Sequence, residues 1–251
     1  MEQRFANKHA LVTGAGSGIG RATAMRLAAE GATVAVMDVV ADGAADTVAE
    51  IEGAGGSAMA VSCDVRSWEA TEAAVGQVTA ELGRLDVVCN VAGIGGFQES
   101  HTADPEMWDR MVGINLTGTF HVCRAVLPGM VERGEGSIVN TASTAGIMGQ
   151  PWSAAYCASK GGVIMLTKAL ATEYDLPLRI NAVAPGGVDT PMYGQFMPPE
   201  GVDWNRMKKM SRDNVAPASP ERLARFFAFV ASDDADYMTG AIVVADGGIS
   251  I

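Results

Sequence analysis

The stretch "SAAYCASKGG", residues 153–162, sets one tyrosine and one lysine among small side chains. Tyr156 and Lys160 are four apart, so on a helix they share a face about one turn from each other. A free phenol ionises near pH ~10, too high for a base at neutral pH. A neighbouring ammonium stabilises the phenolate and lowers that value, as proton exchange with an alcohol requires. One turn of ordinary surface helix would fit the same letters. Chance is a poor explanation, however: with 4 Tyr and 5 Lys in 251 residues, random placement gives 4 × 5/251, or ~0.08 such pairs.

A second group of residues suits a nucleotide. "TGAGSGIG" (13–20) follows an apolar run and opens a helical pattern. Glycines in such a turn let the backbone approach a pyrophosphate, whose charge meets the helix N-terminus. The spacing is TGxxxGxG (Thr13, Gly14, Gly18, Gly20) rather than GxGxxG, and a purely structural tight turn is the competing reading. Asp38 ends the next apolar run, about where an acid accepts hydrogen bonds from an adenosine ribose. A carboxylate there repels a 2′-phosphate. With no Arg or Lys in the loop near Ser17 and Val39-Val40 after Asp38, NAD is favoured over NADP. Asn115 falls on a stripe with Met111, Thr119 and Val122; an amide on a buried face must be hydrogen-bonded, and by itself it reads as a core asparagine.

These side chains need a frame. Short apolar runs at 9–14, 33–38, 58–65, 85–90, 137–143, 179–186 and 241–248 suit parallel strands covered on both faces. Between them, Ser67 can cap a helix carrying Val75, Val78 and Leu82 on one face and ending at Gly83. Asp104-Pro105 opens another, directed towards Leu127-Pro128. The alternation predicts one doubly wound α/β domain spanning 1–251, with about seven parallel strands and helices on both faces. One region breaks the rhythm. Residues 191–218 lack strand pattern and hold methionines, prolines, Tyr193, Phe196 and Trp204; aromatics in so long an insertion need something to cover, so it reads as a substrate lid.

Composition excludes other classes. A net charge of −11 lacks the basic footprint of a duplex nucleic-acid binder. The uncharged run from Gly136 to Ser159 is long enough to span a bilayer but contains Asn140, Gln150 and Pro151, so it belongs in protein. The N-terminus has no apolar signal stretch. Cys63, Cys89, Cys123 and Cys157 show no metal or redox spacing and fit reduced thiols in the cytoplasm.

Taken together, the "TGAGSGIG" turn, "CDV" (63–65), "NVAG" (90–93), Asn115, Ser143, "YCASK", "PGGVDT" (185–190) and "DGG" (246–248) resemble the classical short-chain dehydrogenase/reductase family over essentially the full chain. The resemblance implies a Rossmann-type fold with Tyr156 as general acid/base. It implies that Lys160 holds the nicotinamide ribose and lowers the tyrosine pKa, that Ser143 binds the substrate oxygen, and that Asn115 anchors a water of a proton relay. Cofactor contacts would come from Gly14, Ser17, Gly18, Ile19, Gly20, Asp38, Asp64, Val65, Asn90, Ala92 and Gly93. Pro185, Gly186, Val188 and Thr190 would fix the nicotinamide carboxamide. The family's usual second asparagine is here Val91, which puts the contribution of that position in doubt, and Ala142 stands where serine is frequent.

The implied reaction is hydride exchange between NAD and a carbinol or carbonyl carbon. Candidate substrate walls are Gly95, Gly96 and Phe97, then Ile147, Met148, Gln150 and Trp152, then Met192, Tyr193, Phe196 and Trp204. This mainly apolar set suits a hydrophobic or alicyclic secondary alcohol or ketone. A 3-oxoacyl-[acyl-carrier-protein] reductase is the alternative; the cluster Arg206, Lys208, Lys209 and Arg212 leaves room for its basic docking surface, though a solvated helix face is the simpler reading. A non-catalytic NAD-binding regulator is a remoter one, since the catalytic residues are all present. Family resemblance also suggests a homotetramer, using the helices after Asp104 and around Tyr156.

Overall fold

The computed structural model describes residues 3–203, 205, 206, 208 and 215–251. Seven runs form strands: β1 His9–Thr13, β2 Thr33–Asp38, β3 Ser57–Ser62, β4 Val87–Asn90, β5 Gly136–Thr141, β6 Leu178–Pro185 and β7 Ile242–Ala245. All neighbours pair in parallel, in the order β3-β2-β1-β4-β5-β6-β7. The order reverses between β1 and β4. A crevice opens at that switch, beyond the carboxyl ends of the strands, and ligands of open α/β sheets bind in such crevices.

Among the described residues, seven α-helices cover both faces: α1 Gly18–Ala29, α2 Ala41–Gly53, α3 Trp68–Leu82, α4 Pro105–Val112, α5 Thr119–Arg133, α6 Ala154–Glu173 and α7 Pro220–Ala231. Two apolar layers result. Val12, Val34 and Val36 point with Leu27 and Phe227 to one side, and Leu11, Met37 and Val88 with Val78, Val126 and Met130 to the other. Alternate residues of each strand serve opposite faces, and both faces are dry, as the continuous apolar runs require.

Local signals set the helix ends. Ser67 accepts a hydrogen bond from Ala70 N at 3.1 Å and Gly83 ends α3 at φ +82°; Asp104 accepts from Glu106 N at 3.0 Å ahead of Pro105. Two expectations shift. The strand expected over 58–65 ends at Ser62, leaving Asp64 and Val65 in the following turn. The helix directed towards Leu127-Pro128 runs on to Arg133 with Pro128 inside it. Val126, Leu127 and Met130 are buried against the sheet, and that burial outweighs the hydrogen bond proline cannot make. Between α4 and α5 the chain passes through a π-helical stretch, Gly113–Gly118, with Asn115 at 0% exposure.

The excursion expected at 191–218 has a defined base. Val188 and Ala218 bridge in parallel, with Asp189 N donating to Ala218 O and Ala218 N to Gly187 O, both at 2.9 Å.

Candidate active site

The turn after β1 is built for close approach. Gly14 has φ +63°, and a Cβ there would lie 2.7 Å from Ala92 Cα; one on Gly20 would lie 2.0 Å from the Gly14 carbonyl oxygen. No side chain fits at either position. Ser17 is extended and makes no side-chain cap to α1, whose first turn carries no acid, so the helix start offers its N–H groups to an anion. A nucleotide pyrophosphate fits this cradle. Ile19 turns the other way and packs on the core.

Asp38 sits beside the turn. Its carboxylate accepts from Gly16 N at 2.8 Å and Val40 N at 2.9 Å, which leaves lone pairs for further donors. Gly16 was not among the expected contacts, yet a Cβ there would lie 2.9 Å from the Asp38 carboxyl. Its signal was the second glycine of "TGAGSGIG". Arg21, four residues beyond Ser17, does reach the loop: it donates to Gly16 O at 2.7 Å and pairs with Glu50 at 3.1 Å. Its charge is thereby matched within the protein.

The far wall comes from the end of β4. Thr13 Oγ1 accepts from Val91 N at 3.0 Å and Ala92 N at 3.1 Å. The Val91 side chain packs on the core, so the departure from asparagine costs a side-chain amide but leaves the backbone latch whole. Asn90 donates to Asn140 Oδ1 at 2.9 Å and packs under the site rather than into the cleft. Asp64 spends its carboxylate on Arg66, at 2.6 Å, while Val65 is buried and its carbonyl meets His121 Nδ1 at 3.0 Å. Beyond β6, Gly186 presses on Asp246 and the Thr190 methyl faces Gly18. The Thr190 hydroxyl donates to Val188 O at 3.3 Å.

Ser143, Tyr156 and Lys160 converge where β5 ends and α6 begins. Ser143 Oγ accepts from Ala145 N at 3.1 Å, and its hydroxyl acts on the Tyr156 phenol to favour the ionised form. Lys160, only 4% exposed, donates to Thr141 O at 2.7 Å and stands 5.9 Å from the Tyr156 ring centroid. The expected lowering of the tyrosine pKa by Lys160 is not what this arrangement produces. Burial pushes the Tyr156 phenol above its ordinary value, opposed in part by the Ser143 hydroxyl. Burial also pushes Lys160 down to about 8. Desolvation disfavours the charged form of each, and the ammonium is turned to a carbonyl rather than to the phenol.

Asn115 is committed to protein partners. Its Oδ1 accepts from Ile94 N at 2.8 Å, and its Nδ2 donates to Ile94 O at 2.9 Å and Ser159 Oγ at 3.0 Å. The amide fastens the segment after β4 to α6. A Cβ on Gly93 would lie 3.2 Å from Asn115 Oδ1 and 3.6 Å from Lys160 Nζ, so these three meet at the cleft floor.

Over Tyr156 lies an aromatic group. Phe196 meets the Tyr156 ring edge-on at 5.3 Å and Phe97 at 5.1 Å, and Phe97 meets Trp152 at 6.2 Å. Gly95 lies beneath Phe196. Met148, Gln150 and Met192 are partly buried nearby in the chain. Tyr193 is 49% exposed and faces Gly187 instead. Trp204, Lys209 and Arg212 lie outside the described residues.

The glycine cradle, switch-point crevice and Ser-Tyr-Lys group define a nucleotide-dependent oxidoreductase. The model of the "short chain dehydrogenase" family matches residues 8–200; the chain belongs to that family and acts on alcohol groups with a nicotinamide cofactor. It is 39% identical to cyclohexanol dehydrogenase of Acinetobacter sp. (strain SE19), over 98% of this chain and 96% of that protein. It is 40% identical to cis-4-hydroxycyclohexanecarboxylate dehydrogenase of Sinomonas cyclohexanicum, over 99% and 98%. A crystal structure of 3-ketoacyl-(acyl-carrier-protein) reductase from Brucella melitensis complexed with NADH superposes with TM-score 0.87 at 36% identity, over 98% of this chain and all of that one.

Proposed function

We propose that the protein interconverts an alicyclic secondary alcohol and its ketone, using NAD. The observation that carries this reading is the Tyr156 phenol, eased towards its ionised form by the Ser143 hydroxyl and met edge-on by the Phe196 ring, which Phe97 flanks. Bound nicotinamide would accept or return the hydride of the carbinol carbon. The chain's own residues handle the proton. Tyr156, as phenolate, takes it from the alcohol, and Ser143 with Tyr156 holds the oxygen as its charge changes. Lys160 sits one turn away to support the phenolate once a ligand draws its ammonium from Thr141. The relatives named for cyclohexane-ring alcohols support the ring class.

Asp38 supports NAD over NADP, because a 2′-phosphate would meet a carboxylate while Arg21, which reaches this turn, is already paired with Glu50. We place the protein in the cytoplasm: its four cysteines are free and three are buried, and among the described residues no helix is long and apolar enough to cross a membrane. A homotetramer is supported by Trp108 and Phe120 on α4 and α5 and Met165 on α6, all large apolar side chains open to solvent.

The test is a panel of secondary alcohols offered with NAD+, following NADH formation, in wild type and in Tyr156→Phe. Turnover that survives the substitution unchanged would falsify the assignment. The alternative, reduction of 3-oxoacyl groups on acyl carrier protein, has the Brucella melitensis neighbour in its favour. A strong NADP preference together with turnover of acyl-carrier substrates would select it.

A further inference from the structure

We propose that Phe196 and Gly95 form a lid-and-seat pair that limits the substrate to a single compact ring. The proposal deepens the alcohol dehydrogenase reading above and rests on it.

Phe196 stands on Gly95, where a larger residue would meet its ring. A Cβ at position 95 would overlap Phe196 Cζ and lie 2.6 Å from Cε2, so the Phe196 ring would have to move aside. The ring is held from the sides as well, edge-on to Tyr156 and to Phe97. These contacts join three chain segments that are far apart in sequence. Phe97 is braced by Trp152, whose carbonyl accepts from Gln98 N at 2.7 Å. Trp152 itself takes φ +59°, a costly conformation for a bulky residue that fixes this corner's shape.

The path from the bridge to Phe196 is short and hydrogen-bonded. Tyr193 N donates to Thr190 O at 3.0 Å and Phe196 N to Tyr193 O at 3.2 Å. Backbone turns thus set the ring's position above Gly95. With the lid down, Phe196 meets the Tyr156 ring and is itself flanked by Phe97. A compact alicyclic alcohol can share the space over Tyr156 with Phe196. A long chain would have to leave along the line Phe196 occupies.

The experiment is a double-substitution cycle on the full-length protein: wild type, Gly95→Ala, Phe196→Ala and both together. Thermal unfolding is measured without ligands, and kcat/KM with NAD+ for cyclohexanol and for 2-octanol. Expected is a clear fall in melting temperature for Gly95→Ala in wild type and almost none in the Phe196→Ala background, because neighbours in contact are not additive. Phe196→Ala should lower kcat/KM for cyclohexanol about tenfold, mainly through KM, while 2-octanol holds or improves, a shift of the size pocket contacts produce. Additive melting shifts overturn the seat. An equal loss on both alcohols overturns the ring selection. Wild type that oxidises neither these nor other secondary alcohols, with either NAD+ or NADP+, overturns the underlying reading instead, and the melting cycle still judges the contact.

Discussion

The two halves of the site are held by different means. From β1 to β4 the cleft is shaped by backbone: glycines 14, 16 and 20 against main-chain and carboxyl atoms, and Thr13 latching two amides. From β5 onward the shape comes from side chains: Ser143, Tyr156 and Lys160 at the floor, then Trp152 and Phe196 above, with Phe97 reaching across from the segment after β4. A nucleotide is common to many enzymes and can be met by a fixed backbone surface. A substrate is particular, and side chains are the part of a fold that exchanges without rebuilding it.

Substitutions should separate the halves. The largest effect is expected on the side-chain half: Tyr156→Phe should lower kcat by about 10³-fold while the NAD dissociation constant, read by fluorescence titration, stays within about twofold. A comparable loss of NAD binding would mean the halves are not separable. On the backbone half, Gly14→Ala should weaken NAD binding by about 10²-fold, since its φ is positive and Ala92 Cα occupies the new methyl's place. Unchanged affinity would show that the turn relaxes freely. Asp38→Ala should narrow the preference for NAD over NADP by about tenfold, the equivalent of roughly 1.4 kcal/mol, with kcat on the favoured cofactor little changed. If the ratio does not move, the carboxylate does not set the choice.

The smallest effect is on stability and concerns Lys160. Folded, its ammonium releases its proton near pH 8; unfolded, it keeps it to about 10.4. Between those values the unfolded chain binds more protons, so the ligand-free protein should gain stability as pH rises through that window. Lys160→Met should remove this gain and leave the protein a few degrees more stable at pH 7. Melting curves of the two proteins from pH 7 to 10 check the sign; parallel curves would mean the ammonium is not strained by burial.

The same division explains what was legible in the residues. Strand positions, the Ser67 and Asp104 caps and the TGxxxGxG turn depend on neighbours in sequence, and the chain folds as they imply. Tyr156 and Lys160 could be singled out because spacing and chemistry coincide within one helical turn, and Ser143 followed from the family resemblance. Gly16 beside Asp38, Asn115 gripping Ile94 and Gly95 beneath Phe196 could not be read the same way. Each is a meeting of segments brought together only by the sheet order. The helix past Pro128 escaped for a related reason: local propensity opposes it and tertiary burial carries it.

The π-helical stretch at Gly113–Gly118 has one more consequence. A helix needs no wide turn to bridge Val112 and Thr119; the chain carries a surplus residue there. Deleting it would mend the hydrogen-bond ladder and rotate everything on one side by about 100°. Asn115 would then swing off Ile94, and the segment after β4 would lose its tether to α6. The more regular helix would belong to the poorer enzyme.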